Sequence, residues 1–161
     1  MIKMKNTLAI ILPLVLLYTY SCNTSTGQKL NGQKFGLEFI ELCIDSTLRI
    51  DPGTSAHIFY VDFSKVNSID SNAIHTYLVL HKSIRTANLD SLFKNDSMWT
   101  KYGYFNIPVI RFEKITTKGA DSIIVETSKH KASDGSNGVE IILIRSGNGF
   151  KCLSSGMTWI S

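Results

Sequence analysis

The sequence lacks a stretch long enough to cross a bilayer. Its longest apolar run, taken generously from Leu8 to Tyr20, is 13 residues, against the roughly 20 that a spanning helix needs. Pro13 falls inside that run, and proline withholds an N–H and clashes with the preceding turn. Strong charge of one sign is also lacking. Seventeen Lys and Arg face 13 Asp and Glu, a formal net charge of +4, and no basic stripe is concentrated enough for a nucleic-acid partner. There is no G-x-S-x-G nucleophile elbow. There is no phosphate-cradling glycine loop, because Gly147-Asn148-Gly149 is too short and joins strands. Internal repeats are absent. Histidines are few, at 57, 75, 81 and 130. His75 and His81 are six apart, not the four that place two zinc ligands on one helix face. No metal and no cofactor are expected.

What is present begins at the N-terminus. Lys3 and Lys5 precede the apolar run Leu8 to Leu17, and Thr19, Tyr20 and Ser21 lead to Cys22. A positive start, a short apolar centre and small residues before a cut mark a secretory signal peptide over residues 1–21. Ser21-Cys22 resembles the lipobox of bacterial lipoproteins, although Thr19 stands where that pattern usually has an apolar residue and Tyr20 is large. The resemblance implies a diacylglycerol on the Cys22 sulfur, cleavage before Cys22 and acylation (palmitate-like) of the new amine. The plain alternative is an ordinary secreted protein with a free N-terminal thiol. Acyl chains contribute about 0.8 kcal/mol per buried CH₂, so two or three chains hold a protein at a membrane where one holds weakly. Residues 23–34, NTSTGQKLNGQK, are polar with no periodic pattern and read as a flexible tether behind the lipidated cysteine, 22–34 in all. The implied address is the cell envelope, lipid-anchored and facing the periplasm or the exterior. Asn23 is not the Asp that marks inner-membrane retention in some lipoprotein systems, which favours the outer membrane.

Residues 35–161 are long enough for one domain with a real core. Net charge falls from +4 to +2 once Lys3 and Lys5 leave with the signal peptide. The spacing in FGLEFIELCIDSTLRI predicts a helix over 35–47. Asp51-Pro52-Gly53 is a turn, and AHIFYVDF, 56–63, a strand. Asp70 or Ser71 is placed to cap a helix over 72–86, although IHTYLVLH also fits a strand. A short helix is expected in 88–99 and a strand over 104–115, with Pro108 near its start or at an edge. Three apolar strands follow at 121–129, 138–145 and 150–160, separated by turn-forming KASDGSNG and SGNG. The fold class is therefore α+β: an N-terminal helix and one or two further helices packed on an antiparallel sheet that ends in a three-strand meander. In outline this resembles small accessory and inhibitor lipoproteins and NTF2-like cones, on element order alone.

Chemistry is sparse. Cys43 and Cys152 form an even pair once Cys22 is lipidated, in a compartment that permits a disulfide; two buried free thiols are the alternative. Trp99, Lys101, Tyr102 and Tyr104, with Phe105 beside them, are the candidate ligand or partner surface. Asp134-Gly-Ser-Asn-Gly138 reads as a hairpin turn rather than a calcium loop, and Lys129-His130-Lys131 as a solvated loop. No catalytic residue is assigned. The expected protein is a lipid-anchored envelope protein with a small non-catalytic binding or accessory domain for another envelope protein, a peptide or a glycan. The alternative is an envelope hydrolase that pairs a histidine with Asp62 or Asp70.

Overall fold

The computed structural model describes residues 34–51, 58–94, 104–132 and 135–160. Helix α1 spans Leu37–Ile50. Its buried residues Phe39, Ile40, Cys43, Ile44 and Thr47 recur every three or four positions and form one apolar stripe. Strand β1, Phe59–Asp62, leads into helix α2, Ser71–Leu80, and back into strand β2, Ile84–Thr86. A single helical turn, α3, follows at Leu89–Leu92. Four long strands complete the chain: β3 (Tyr104–Lys118), β4 (Ser122–Ala132), β5 (Ser136–Ser146) and β6 (Gly149–Ile160).

All six strands form one sheet in the order β2-β1-β3-β4-β5-β6. The architecture is α+β, with a mixed rather than an antiparallel sheet. β1 runs parallel to both β2 and β3, while β3 to β6 are antiparallel neighbours. The reason is the helical crossover between β1 and β2, which returns the chain to the same end of the sheet. The stretch read as one helix over 72–86 divides: the helix stops at Leu80 and residues 84–86 are a strand. The meander has four strands, since β3 pairs along its length with β4. Pro108 lies where β3 and β4 fall out of register between Tyr104 and Val109, the kind of place that tolerates a residue without an N–H. The β3–β4 and β5–β6 turns use glycines with positive φ, Gly119 (72°) and Gly147 (60°), a region that side chains with a Cβ enter only at a cost.

One face of the meander is the main core. Ile110, Phe112, Ile123, Val125, Val139, Ile141 and Leu143 are buried there together with the α1 stripe. Removing each such side chain from water stabilises the fold by about 1.5–3 kcal/mol. The edge of that core is aromatic: Phe35 stacks on Phe39 at 4.2 Å and both meet the Phe150 ring edge-on at 5.9 and 5.8 Å. α1 and β4 are also joined by a polar contact. The Thr47 hydroxyl donates to Cys43 O (2.8 Å), so at 2.7 Å from Thr127 Oγ1 it accepts. Val109, next to Ile110 and therefore on the opposite face, packs with Leu89, Leu92 and Tyr60 in a second, smaller apolar cluster. That cluster holds α3 against the back of the sheet.

Candidate functional site

The chain leaves β1 on one side to reach β2 and returns to the other side to reach β3. The end of β1 is thus a switch point in an otherwise parallel corner, the place where open α/β sheets form ligand crevices. A cluster of charged side chains sits there. Asp62, the last residue of β1, is fully buried. Its Oδ1 accepts from Ser64 N (2.8 Å) and its Oδ2 from Leu89 N (2.7 Å). Arg111, its cross-strand partner on β3, brings Nε to 3.2 Å from Oδ2 in a charge contact whose angle falls short of a hydrogen bond. Arg111 Nη2 donates to Asp90 Oδ1 at 3.0 Å. A buried carboxylate and guanidinium compensate each other and fix α3 against the end of β1. Removing Arg111 would leave Asp62 as a buried charge without its counter-charge, whereas removing Asp62 would leave Arg111 only the exposed Asp90.

Two residues along β3 lies a second group. Glu113 Oε2 accepts from Lys65 Nζ (2.5 Å), and Glu113 Oε1 accepts from Ser128 Oγ (2.6 Å). Ser128 Oγ is also 2.8 Å from His130 Nε2, and Phe93 meets the His130 ring edge-on at 6.3 Å. Burial pushes the Glu113 carboxyl up, but His130, Lys65 and Ser128 outweigh it and bring its pKa down to about 2. Glu113 is therefore ionised and takes the Ser128 proton in its hydrogen bond. His130 Nε2 must then be the donor to Ser128, because the single hydroxyl proton is already committed. Serine, histidine and acid are all present, but their connections differ from a hydrolytic triad. In that arrangement the histidine accepts the serine proton and the acid holds the far ring nitrogen. Here the acid holds the serine, His130 Nε2 is 3.9 Å from Glu113 Oε1, and Ser128 is fully buried.

The residues singled out in the sequence fare unevenly. Cys22, His57, Trp99, Lys101, Tyr102 and Asp134 lie outside the described residues. Tyr104 opens β3. Cys43 is buried in the core and Cys152 packs half-buried against it, both as thiols. Asp62 meets Arg111 rather than a histidine, and Asp70 caps α2 by accepting from Asn72 N (2.7 Å) and Ala73 N (3.4 Å). Lys129-His130-Lys131 is no solvated loop. It is part of β4, and Lys129 is buried, donating to Asp51 O at 2.6 Å. Burial lowers the Lys129 pKa, with the nearby Asp51 charge working the other way. Glu113, Ser128, Lys65 and Arg111 were not singled out. Only Ser128 and His130 carried a local signal, two apart in a strand and hence on one face. The other partners come from 15 to 48 residues away.

The far edge of the sheet is a different kind of surface. β6 is 12 residues long and, among the described residues, has a strand neighbour on its β5 side only. Leu153, Met157, Trp159 and Ile160 are exposed along it, Leu153 at 63% and Ile160 at 73%. Its pairing to β5 slips at Leu153 and at Thr158, and such bulges twist an edge and turn side chains outward. Trp159 lies across Gly138, where any Cβ would run into the indole. Among the described residues no group of three or more His, Cys, Asp or Glu is placed to hold a metal ion. No described helix is long and apolar enough to cross a membrane. No family model, curated protein or solved structure matches this chain.

Proposed function

We propose that this protein is a lipid-anchored component of the cell envelope whose domain, residues 35–161, binds another envelope protein and catalyses nothing. The domain begins with the helix that covers the meander, and the tether of residues 23–34 separates it from the acylated Cys22, with the outer membrane as the preferred location. The observation that carries the binding reading is β6: a long sheet edge with apolar side chains in solvent. Open edges template the addition of an extended segment, whose main chain supplies hydrogen bonds while side chains fill alternate positions. Soluble proteins usually blunt such edges with charge or with bulges; β6 has the two bulges but only one charged side chain, Lys151, among its described residues.

Two measurements test this. Intact mass of the protein taken from the membrane fraction should correspond to a chain starting at Cys22 and heavier by acyl groups. A chain starting near residue 22 at its bare mass would remove the anchor and the tether argument. Reduction should leave the mass unchanged, because Cys43 and Cys152 are both thiols; a gain of about 2 Da would overturn that and establish a bridge. For the edge, a photo-crosslinking residue at 153 or 159 in intact cells should give a discrete adduct that the same residue at the exposed Arg49 on α1 does not. Equal adducts at all three positions would refute a role for the edge.

A second reading, an envelope hydrolase, rests on the proximity alone of Ser128 and His130 (2.8 Å), since the hydrogen bonding described above runs the wrong way for a triad. It requires Ser128→Ala to abolish hydrolysis of a simple ester by the purified protein. The non-catalytic reading requires wild type and variant to match the uncatalysed rate.

A further inference from the structure

A cleft of about 260 Å³ opens between α1, the end of α2 and β2, away from both the charged cluster and the β6 edge. Ile44, Phe59 and Ile84 form its apolar floor, and Asp45, Tyr77 and His81 are its polar groups. Tyr77 is 3% exposed, and its side chain forms one wall of the cleft. His81 Nε2 is buried without a hydrogen bond, with Glu41 Oε1 at 3.6 Å, and a buried polar atom in that state is costly unless something comes to meet it. The two rings lie against each other, centroids 4.5 Å apart.

The one formally charged side chain that lines this cleft among the described residues is an acid, Asp45, and Glu41 stands beside it. Glu41 and Asp45 are one turn apart on α1, an arrangement that repels and destabilises a helix slightly. Both act on Tyr77: burial raises its hydroxyl pKa first, and Asp45 and then Glu41 push it further up. Among the described residues no Lys or Arg lines the cleft, so the lining itself favours a cation over an anion. We propose that this cleft binds a small organic ammonium: a cationic nitrogen between Asp45, Glu41 and the Tyr77–His81 rings, with its hydrocarbon part on the Ile44–Phe59–Ile84 floor. The aromatic faces attract a cation, the carboxylates neutralise it, and the Tyr77 oxygen accepts an N–H. This site goes beyond the edge-strand reading and stands or falls separately from it.

The test is calorimetric titration of the full mature chain in detergent at neutral pH with benzylammonium, and with benzyl alcohol and benzoate as matched probes. Benzylammonium should bind at least about tenfold more tightly than benzyl alcohol, reflecting cation–π attraction and two partly exposed carboxylates. Benzoate should not bind. Asp45→Asn, on the exposed side of α1, should weaken benzylammonium about fivefold with the circular dichroism spectrum unchanged. Tyr77→Phe, which keeps the ring, should weaken it as well. Equal binding of the charged and neutral probes overturns the proposal, as does no heat with benzylammonium up to about 10 mM. Undiminished binding by a folded Asp45→Asn variant overturns it too.

Discussion

Asp51 shows how much one side chain can hold together in this fold. It ends α1, where a negative charge opposes the helix dipole and cations are favoured. The cations are supplied from elsewhere in the chain. Lys131 Nζ donates to Oδ1 at 3.0 Å, Asn137 Nδ2 donates to Oδ2 at 2.9 Å, and Lys129 Nζ reaches the Asp51 carbonyl. Burial pushes the Asp51 carboxyl up, but Asn137, Lys131 and Lys129 together hold it below the usual carboxylate range. Asp51→Asn should leave buried Lys129 without its counter-charge and destabilise by about 2–3 kcal/mol, somewhat below the cost of breaking a wholly buried pair; the urea midpoint reads this. Ser46 is the opposite case. Its hydroxyl is buried under α1 with no hydrogen-bond partner, and a polar atom in that state costs rather than contributes. Ser46→Ala should therefore stabilise the protein by about 1 kcal/mol, and a lowered urea midpoint would refute the assignment. Neither role was legible in the sequence. Asp51 appeared there as a turn residue beside Pro52 and Gly53, and its partners lie 78 to 86 positions away.

At the scale of elements, caps and periodicity were readable and boundaries were not. Asp70 was one of two residues placed in advance to start α2, and it is the cap. Asp70→Ala removes an acceptor for two orphan N–H groups and should cost about 1 kcal/mol, seen as a lower thermal midpoint with the sheet's spectral signature retained. The end of α2 was misplaced because NAIHTYLVLH is apolar on several faces and its pattern runs on towards Ile84. The helix stops because His81 leaves helical geometry (φ −110°, ψ 72°), and Ile84, buried against Phe59, is claimed by the sheet. The parallel corner, β1 between β2 and β3, makes the sheet mixed rather than antiparallel. The meander was the clearest part in advance, because Val139, Ile141 and Leu143 alternate with Glu140, Ile142 and Ile144. A strand apolar on both faces belongs inside a sheet, and β5 does lie between β4 and β6.

At the scale of the whole molecule, stability should fall as acid reaches two carboxylates that tie separate elements together. Glu113 joins β3 to β4 and to Lys65, and Asp51 joins the end of α1 to β4 and β5. Both have lowered pKa values in the fold. Their contribution is complete above the unfolded carboxylate range and is lost as pH drops through the folded values, for Glu113 from about 4.5 towards about 2. Thermal midpoints measured down that range should decline, and Glu113→Gln should flatten the decline; an unchanged slope in the variant would show that Glu113 does not contribute to it. The sequence by itself determined what depends on neighbours in the chain: the signal-like start and the tether as expectations, the α1 stripe, the α2 cap, the alternating strands and their glycine turns. These follow from local geometry, hydrophobic period and backbone preference. Only the tertiary structure decided the parallel corner, the Asp62–Arg111 pair at the end of β1, the Glu113–Ser128–His130 contact and the cleft beside Tyr77. Each brings together residues tens of positions apart through strand register and helix packing, and no local pattern encodes which strand will lie beside which.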